Sequence, residues 1–173
     1  PGDRVFMYYS GHGARVESGA SGTCSEGLVS VKGELLLDKE LEEILKTMAQ
    51  KADKVIFFLD ACHSGGITTR SAGKLPKYMP KSATIGSPSA CRVVTNQLTR
   101  SVTRAAQSPD SGGKNYVFIS AARDSEVALD DPEAGGVATK AWSKCINGEA
   151  KDLDNSGSIT ADEIRTCAQN VIN

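Results

Sequence analysis

The sequence lacks long apolar runs, lacks any C-x-x-C pair and carries almost no net charge. Its apolar stretches, such as residues 55–59, fall far short of the ~20 residues that cross a bilayer, and no basic-then-apolar leader opens the chain. No membrane partner is expected, and the compartment is undecided, with the cytoplasm slightly favoured. A net charge of −1 supplies no general attraction for nucleic acid or anionic lipid. The five cysteines are odd in number and scattered, which suggests neither a zinc ribbon nor a disulfide scaffold and leaves at least one thiol free. What is present, 39% hydrophobic and 24% charged residues in a chain of 173, is the composition of one globular domain able to bury a core.

Residues 4–9 (R-V-F-M-Y-Y) and 54–59 (K-V-I-F-F-L) are β-branched and aromatic over about a strand's length and apolar on both faces, as buried parallel strands are. Residues 116–120 (Y-V-F-I-S) have the same character. Between the first two, Leu41, Ile44, Leu45 and Met48 recur at helical spacing over residues 38–50, with Asp38 as a candidate cap. Strand, helix, strand predicts a right-handed crossover between parallel neighbours, and so a layered α/β domain. Residues 14–34 read as an irregular Gly/Ser-rich stretch, with a short hairpin of residues 28–31 against 34–37 turning at Lys32 and Gly33. Residues 67–114 hold eight Lys or Arg against one acid, Asp110, and no sustained apolar period, which predicts a flexible linker. Tyr78 is the one aromatic among those charges, so no nucleic-acid surface is expected there. A helix is expected over residues 137–145, then an acidic loop and a short helix over 161–171.

Ligands of an open parallel sheet bind beyond the carboxyl ends of its strands. Two chemistry-bearing residues fall there. His12 lies in Y-S-G-H-G (residues 9–13) and Cys62 in D-A-C-H-S-G-G (residues 60–66), each three residues past an apolar run. If the strands are neighbours ~5 Å apart, both side chains rise from one sheet edge. Gly11, Gly13, Gly65 and Gly66 then allow sharp turns and close approach of a substrate backbone. A thiol with an ordinary pKa near 8.5 is only a few per cent ionised at pH 7, so a neighbouring imidazole that takes its proton makes it a nucleophile. Backbone N–H groups of Gly13 and Cys62 would face the developing oxyanion, each worth roughly 3 kcal/mol. Either residue alone is better read as ordinary core or surface; their joint placement in two Gly/Ser turns is what points to catalysis.

Together these two motifs resemble the catalytic signature of the caspase/metacaspase superfamily, particularly its metacaspase-like prokaryotic members. Residues 119–128 (I-S-A-A-R-D-S-E-V-A) and 135–142 (G-G-V-A-T-K-A-W) resemble the start of that family's small subunit, so the resemblance spans most of the chain. It implies a caspase-like layered domain over residues 1–173, with a mostly parallel central sheet and helices on both faces, in which residues 67–114 are the inter-subunit linker. It implies peptide-bond cleavage by Cys62 and His12 without a third catalytic acid, and it turns His63 away from the reacting bond. It also implies strands preceding the first one here, so the chain looks truncated at its N-terminus.

Metacaspase-like enzymes use an acid at the position of Asp60 to hold Arg or Lys before the scissile bond, and Ser10 matches another pocket position. Asp124 or Glu126 is expected to complete that pocket. The expected partners are therefore peptides with Arg or Lys before the cut. The segment 152–163 separately fits a twelve-residue EF-hand loop, with Asp152, Asp154, Ser156 and Thr160 as oxygen donors, Gly157 at position six and Glu163 at twelve, and Ser158 at the intervening seventh position. Calcium is the cofactor expected there; the dyad chemistry needs none. The competing readings are an inactive caspase-like, calcium-responsive adaptor and another thiol acyl-transfer enzyme.

Overall fold

The computed structural model describes residues 2–18, 23–62, 78–84, 115–122 and 127–173. In chain order these form β1 (Arg4–Ser10), β2 (Gly13–Ser18), β3 (Thr23–Val29), β4 (Leu35–Leu37), α1 (Asp38–Lys51) and β5 (Lys54–Asp60). Next come β6 (Met79–Pro80), β7 (Ser82–Thr84), β8 (Tyr116–Ser120), β9 (Leu129–Asp131), β10 (Gly135–Gly136), α2 (Val137–Lys144) and α3 (Ala161–Ile172). A π-turn, Cys145–Glu149, follows α2.

The expected crossover is present. β1, β5 and β8 form a parallel sheet in the order β1-β5-β8, in register from Arg4 opposite Lys54 to Ser10 opposite Asp60. Alternation along β5 sends side chains to opposite faces. Phe57 and Leu59 pack on Leu41 and Leu45 of α1, whereas Phe58 packs on Ala141 and Trp142 of α2 and Ala168 of α3. Helices therefore cover both faces, and the domain is α/β. The second sheet runs β4-β3-β2-β7, and β10-β9-β6 form a third.

Several local expectations are corrected. β1 is not apolar-buried on both sides: Phe6 is 61% and Tyr8 48% exposed, because among the described residues this strand is the edge of its sheet and packs only Val5, Met7 and Tyr9 inward. Asp38 does not cap α1. Leu37 is the capping residue, and its N–H donates to Glu40 Oε2 at 2.9 Å, so the acid three residues on closes the helix start instead. The stretch taken as irregular holds the antiparallel pair β2–β3, while the β3–β4 hairpin starts from Val29 opposite Leu35, with Gly33 at φ 81° in the turn. Disulfides are present: Cys145 bonds Cys167, and Cys24 is also disulfide-bonded. Cys62 is a free thiol. Within the expected linker, the described residues 78–84 are not irregular but supply β6 and β7; the rest of it lies outside the described residues.

Candidate active site

The paired ends of β1 and β5 bring two turns side by side. Gly11 N–H donates to the Asp60 carbonyl at 3.2 Å, and Val29 N–H donates to the His12 carbonyl at 3.0 Å. The Tyr9 hydroxyl lies 2.8 Å from both the His12 and Val29 carbonyls, which anchors the backbone of the His12 turn to β3. Gly11 is required for this, since a Cβ there would sit 2.7 Å from the Tyr9 oxygen. The His12 side chain is exposed. Cys62 is 3% exposed, and its thiol donates to the Ala128 carbonyl at 3.4 Å. Burial pushes the Cys62 thiol above its ordinary value, opposed by hydrogen bonds to the backbone of Ala128 and Lys81, while the nearby charges of Asp60 and Lys81 add smaller, opposite effects.

Gly13 and Cys62 meet through their backbones, and a Cβ on Gly13 would strike the Cys62 carbonyl oxygen. Their N–H groups converge on one acceptor. Gly13 N–H donates to the Lys81 carbonyl at 3.1 Å and Cys62 N–H donates to the same oxygen at 3.2 Å. Two N–H donors on one carbonyl oxygen form the geometry that stabilises an oxyanion when that carbonyl is attacked.

The Lys81 side chain runs from this point into a buried acidic pocket. Its ammonium donates to Ser10 Oγ at 2.5 Å and lies 3.4 Å from Asp60 Oδ2 and 3.3 Å from Asp130 Oδ1. Asp60 has no exposed surface. Its Oδ2 accepts from the Thr139 N–H at 3.2 Å and from the Thr139 hydroxyl, in the first turn of α2, where backbone N–H groups lack helical partners. Asp60 Oδ1 is buried and has no hydrogen-bond partner among the described residues. Gly136 floors the pocket: a Cβ there would strike Asp60 Oδ2 and come within 2.7 Å of Lys81 Nζ.

Of the residues singled out from sequence, Ser10, His12, Gly13, Asp60 and Cys62 gather at this sheet edge. Asp124, Glu126, His63, Gly65 and Gly66 lie outside the described residues. Asp130, Gly136 and Thr139 were missed. They come from β9, β10 and α2, and the one local signal for them is the Gly-Gly pair opening a helix.

The second cluster is the loop 152–163. Carboxylate oxygens of Asp152, Asp154 and Glu163 lie within 4.8 Å of one another. Ser156 N–H donates to Asp152 Oδ1 and Asp154 Oδ1 at 3.0 Å each, and Gly157, at φ 84°, donates to Asp152 Oδ2 at 2.7 Å. Ser156 Oγ donates to the Ser158 carbonyl at 3.1 Å. Glu163 accepts from Leu153 N–H, Thr160 N–H and the Thr160 hydroxyl, and these contacts hold its carboxyl below the usual carboxylate range. Hydrogen bonds from Ser156 do the same for Asp154. The donor set is hard oxygen, as calcium requires.

The family described as the caspase domain matches residues 1–166 of the chain. No curated protein matches it.

Proposed function

The chain belongs to the caspase-domain family of cysteine-type peptidases, and on that premise we propose that it is an endopeptidase that cuts after Arg or Lys through Cys62 and His12. The observation that carries this reading is the pose of Lys81, whose ammonium meets Asp60 while its carbonyl accepts from Gly13 and Cys62 N–H. A basic side chain in the pocket thus puts the carbonyl of the same residue on the two donors beside the thiol. Cys62 attacks that carbonyl carbon, His12 takes the thiol proton and returns it to the leaving amine, and water then releases the acyl group.

The protein should react with an irreversible peptidyl-Arg electrophile at Cys62, and hydrolyse Arg and Lys peptides but not Asp peptides. Cys62→Ala and His12→Ala should each abolish hydrolysis. Preference for acidic peptides, or Arg-peptide hydrolysis that leaves Cys62 unlabelled or survives in Cys62→Ala, overturns the reading.

We also propose that calcium binds the loop 152–163. Asp152, Asp154, Ser156 and Glu163 would hold it through side-chain oxygens and Ser158 through its carbonyl, with Thr160 at the ninth position, where the contact is often through water. Calcium there would draw the carboxylates together and fix the start of α3. Calorimetric titration with calcium, lost in Glu163→Gln, tests it; equal heats from both proteins overturn it.

A further inference from the structure

Register and alternation put four side chains on one face of the parallel sheet. Tyr8 lies opposite Phe58 and Ser10 opposite Asp60, the second pair two residues beyond the first along β1 and β5. That face is the one α2 covers, since Phe58 packs on Ala141 and Trp142. The rings of Tyr8 and Phe58 are 5.8 Å apart and those of Phe58 and Trp142 5.5 Å apart, so an aromatic row crosses from β1 over β5 to α2. The row sets the spacing between the strand ends and the first turn of the helix, where Thr139 precedes Trp142 by three residues.

A line of hydroxyls spans that spacing. The Tyr8 hydroxyl lies 2.9 Å from Thr139 Oγ1, and Thr139 Oγ1 meets Asp60 Oδ2. A carboxylate oxygen only accepts, so the single hydroxyl proton of Thr139 goes to Asp60 and the Thr139 oxygen accepts from Tyr8. Tyr8, Thr139 and Asp60 thus form a one-way relay in which each hydrogen bond polarises the next. The Thr139 N–H adds a second donor to the same carboxylate oxygen at 3.2 Å. Both donors meet Oδ2, while Oδ1 is buried with no partner among the described residues. The relay begins at a tyrosine that is 48% exposed and ends at an acid with no exposed surface.

We propose that Tyr8 and Thr139 are positioning residues for substrate selection: they pin Asp60 through Oδ2, fix the plane of its carboxylate and keep Oδ1 free for the second N–H of an arginine side chain. The proposal rests on the Arg/Lys reading and deepens it, by naming what holds the selecting acid in place. The torsion that turns an aspartate carboxylate is broad and soft. Two donors on one oxygen, one of them backed by Tyr8, remove that freedom. A lysine ammonium is a compact charge with rotatable donors and tolerates a turned carboxylate, whereas a guanidinium fork needs both oxygens in its own plane. Loss of the relay therefore costs Arg substrates more than Lys substrates.

The test is steady-state hydrolysis of matched Arg and Lys peptides by Tyr8→Phe, Thr139→Val, Thr139→Ser and the Tyr8→Phe/Thr139→Val pair, with melting temperatures measured alongside. Each is made in the wild type and in Lys81→Gln, which clears the chain's own ammonium from Asp60; the wild-type series stands by itself where Lys81→Gln does not fold. Tyr8→Phe keeps the ring beside Phe58 and removes only the first donor. It should raise KM for the Arg peptide roughly fivefold, the scale of one hydrogen bond, with a smaller rise for the Lys peptide and with kcat and melting temperature at the parent's values. Thr139→Val should raise KM further, and Thr139→Ser, which restores the hydroxyl, should return it to the parent's value. In the pair, Tyr8→Phe should add nothing to Thr139→Val, because the relay is already broken. An unchanged KM in Tyr8→Phe, a loss carried by kcat or by melting temperature alone, equal losses for Arg and Lys, or additive effects in the pair overturn this proposal and leave the Arg/Lys reading standing. A folded parent chain that hydrolyses neither peptide overturns both.

Discussion

Gly136 and Asp60 set what the pocket can hold. Since a Cβ at Gly136 would overlap Asp60 Oδ2 and press on the occupying ammonium, Gly136→Ala should raise KM for Arg and Lys peptides by roughly tenfold or more, the scale of one carbon in a fitted pocket. An unchanged KM would remove Gly136 from the pocket. Asp60 Oδ1 bears on the choice between the two bases. A lysine ammonium uses Oδ2 and leaves Oδ1 without a partner, whereas an arginine guanidinium can engage both oxygens of a carboxylate at once. Arg peptides should therefore show the higher kcat/KM; a clear preference for Lys would count against this account. The Cys62 thiol, pushed up chiefly by burial, should stay protonated through neutral pH. In the His12→Ala chain its alkylation rate should still be climbing above pH ~8.5, where an ordinary thiol is half ionised. The folded state favours the protonated thiol. Its contribution to stability is thus complete below the ordinary thiol value and is lost as pH rises through the raised one.

α2, the π-turn, the loop 152–163 and α3 form one unit, because the Cys145–Cys167 bond closes a span of 22 residues around the loop. In the chain-entropy account a closure of that length stabilises by about 3 kcal/mol. Reduction should lower the melting temperature, and it should weaken calcium binding if the loop's shape depends on the closure; identical calcium affinity with and without the disulfide would show that it does not. The carboxyls of Glu163 and Asp154, held down by hydrogen bonds, contribute above the ordinary carboxylate value, and that contribution is lost as pH falls through their lowered values. Acid should therefore lower the melting temperature of the wild type more than that of Glu163→Gln; parallel curves would refute the assignment. The loop was legible in the sequence because its donors, its glycine and its closing glutamate all lie within twelve neighbouring residues. The disulfide was not, since Cys145 and Cys167 meet only after Phe58, Trp142 and Ala168 have packed α2 and α3 against the sheet. β2 was hidden for a related reason: its residues G-A-R-V-E-S have little apolar alternation, and it is held by pairing with β3 and β7.

At the scale of the whole molecule, the pattern of legibility tracks distance along the chain. His12 and Cys62 could be found because each sits in a glycine-flanked turn directly after an apolar strand, whereas Ala128, Asp130 and Thr139 reach Cys62, Lys81 and Asp60 only through the folded arrangement of β9 and α2. The same arrangement would govern the fate of two pieces if a peptidase that selects basic residues nicked the expected linker between Lys81 and Ser82. Residues 1–81 would carry β1 to β6 and α1, and residues 82–173 would carry β7 to β10, α2 and α3. The division runs through the parallel sheet, where β5 pairs with β8 from Val55 opposite Tyr116 to Leu59 opposite Ser120. It also runs through the core, where the Phe57 and Phe118 rings lie 5.8 Å apart and the Phe58 and Trp142 rings 5.5 Å apart. Buried ladder hydrogen bonds and aromatic contacts of this kind have no comparable partners in separated fragments. The two pieces should therefore stay associated. On size exclusion with a reductant present, the cut protein should elute with the uncut Cys62→Ala chain and separate only in denaturant. Two smaller peaks under native, reducing conditions would show that the β5–β8 pairing is too weak to hold the cut domain together.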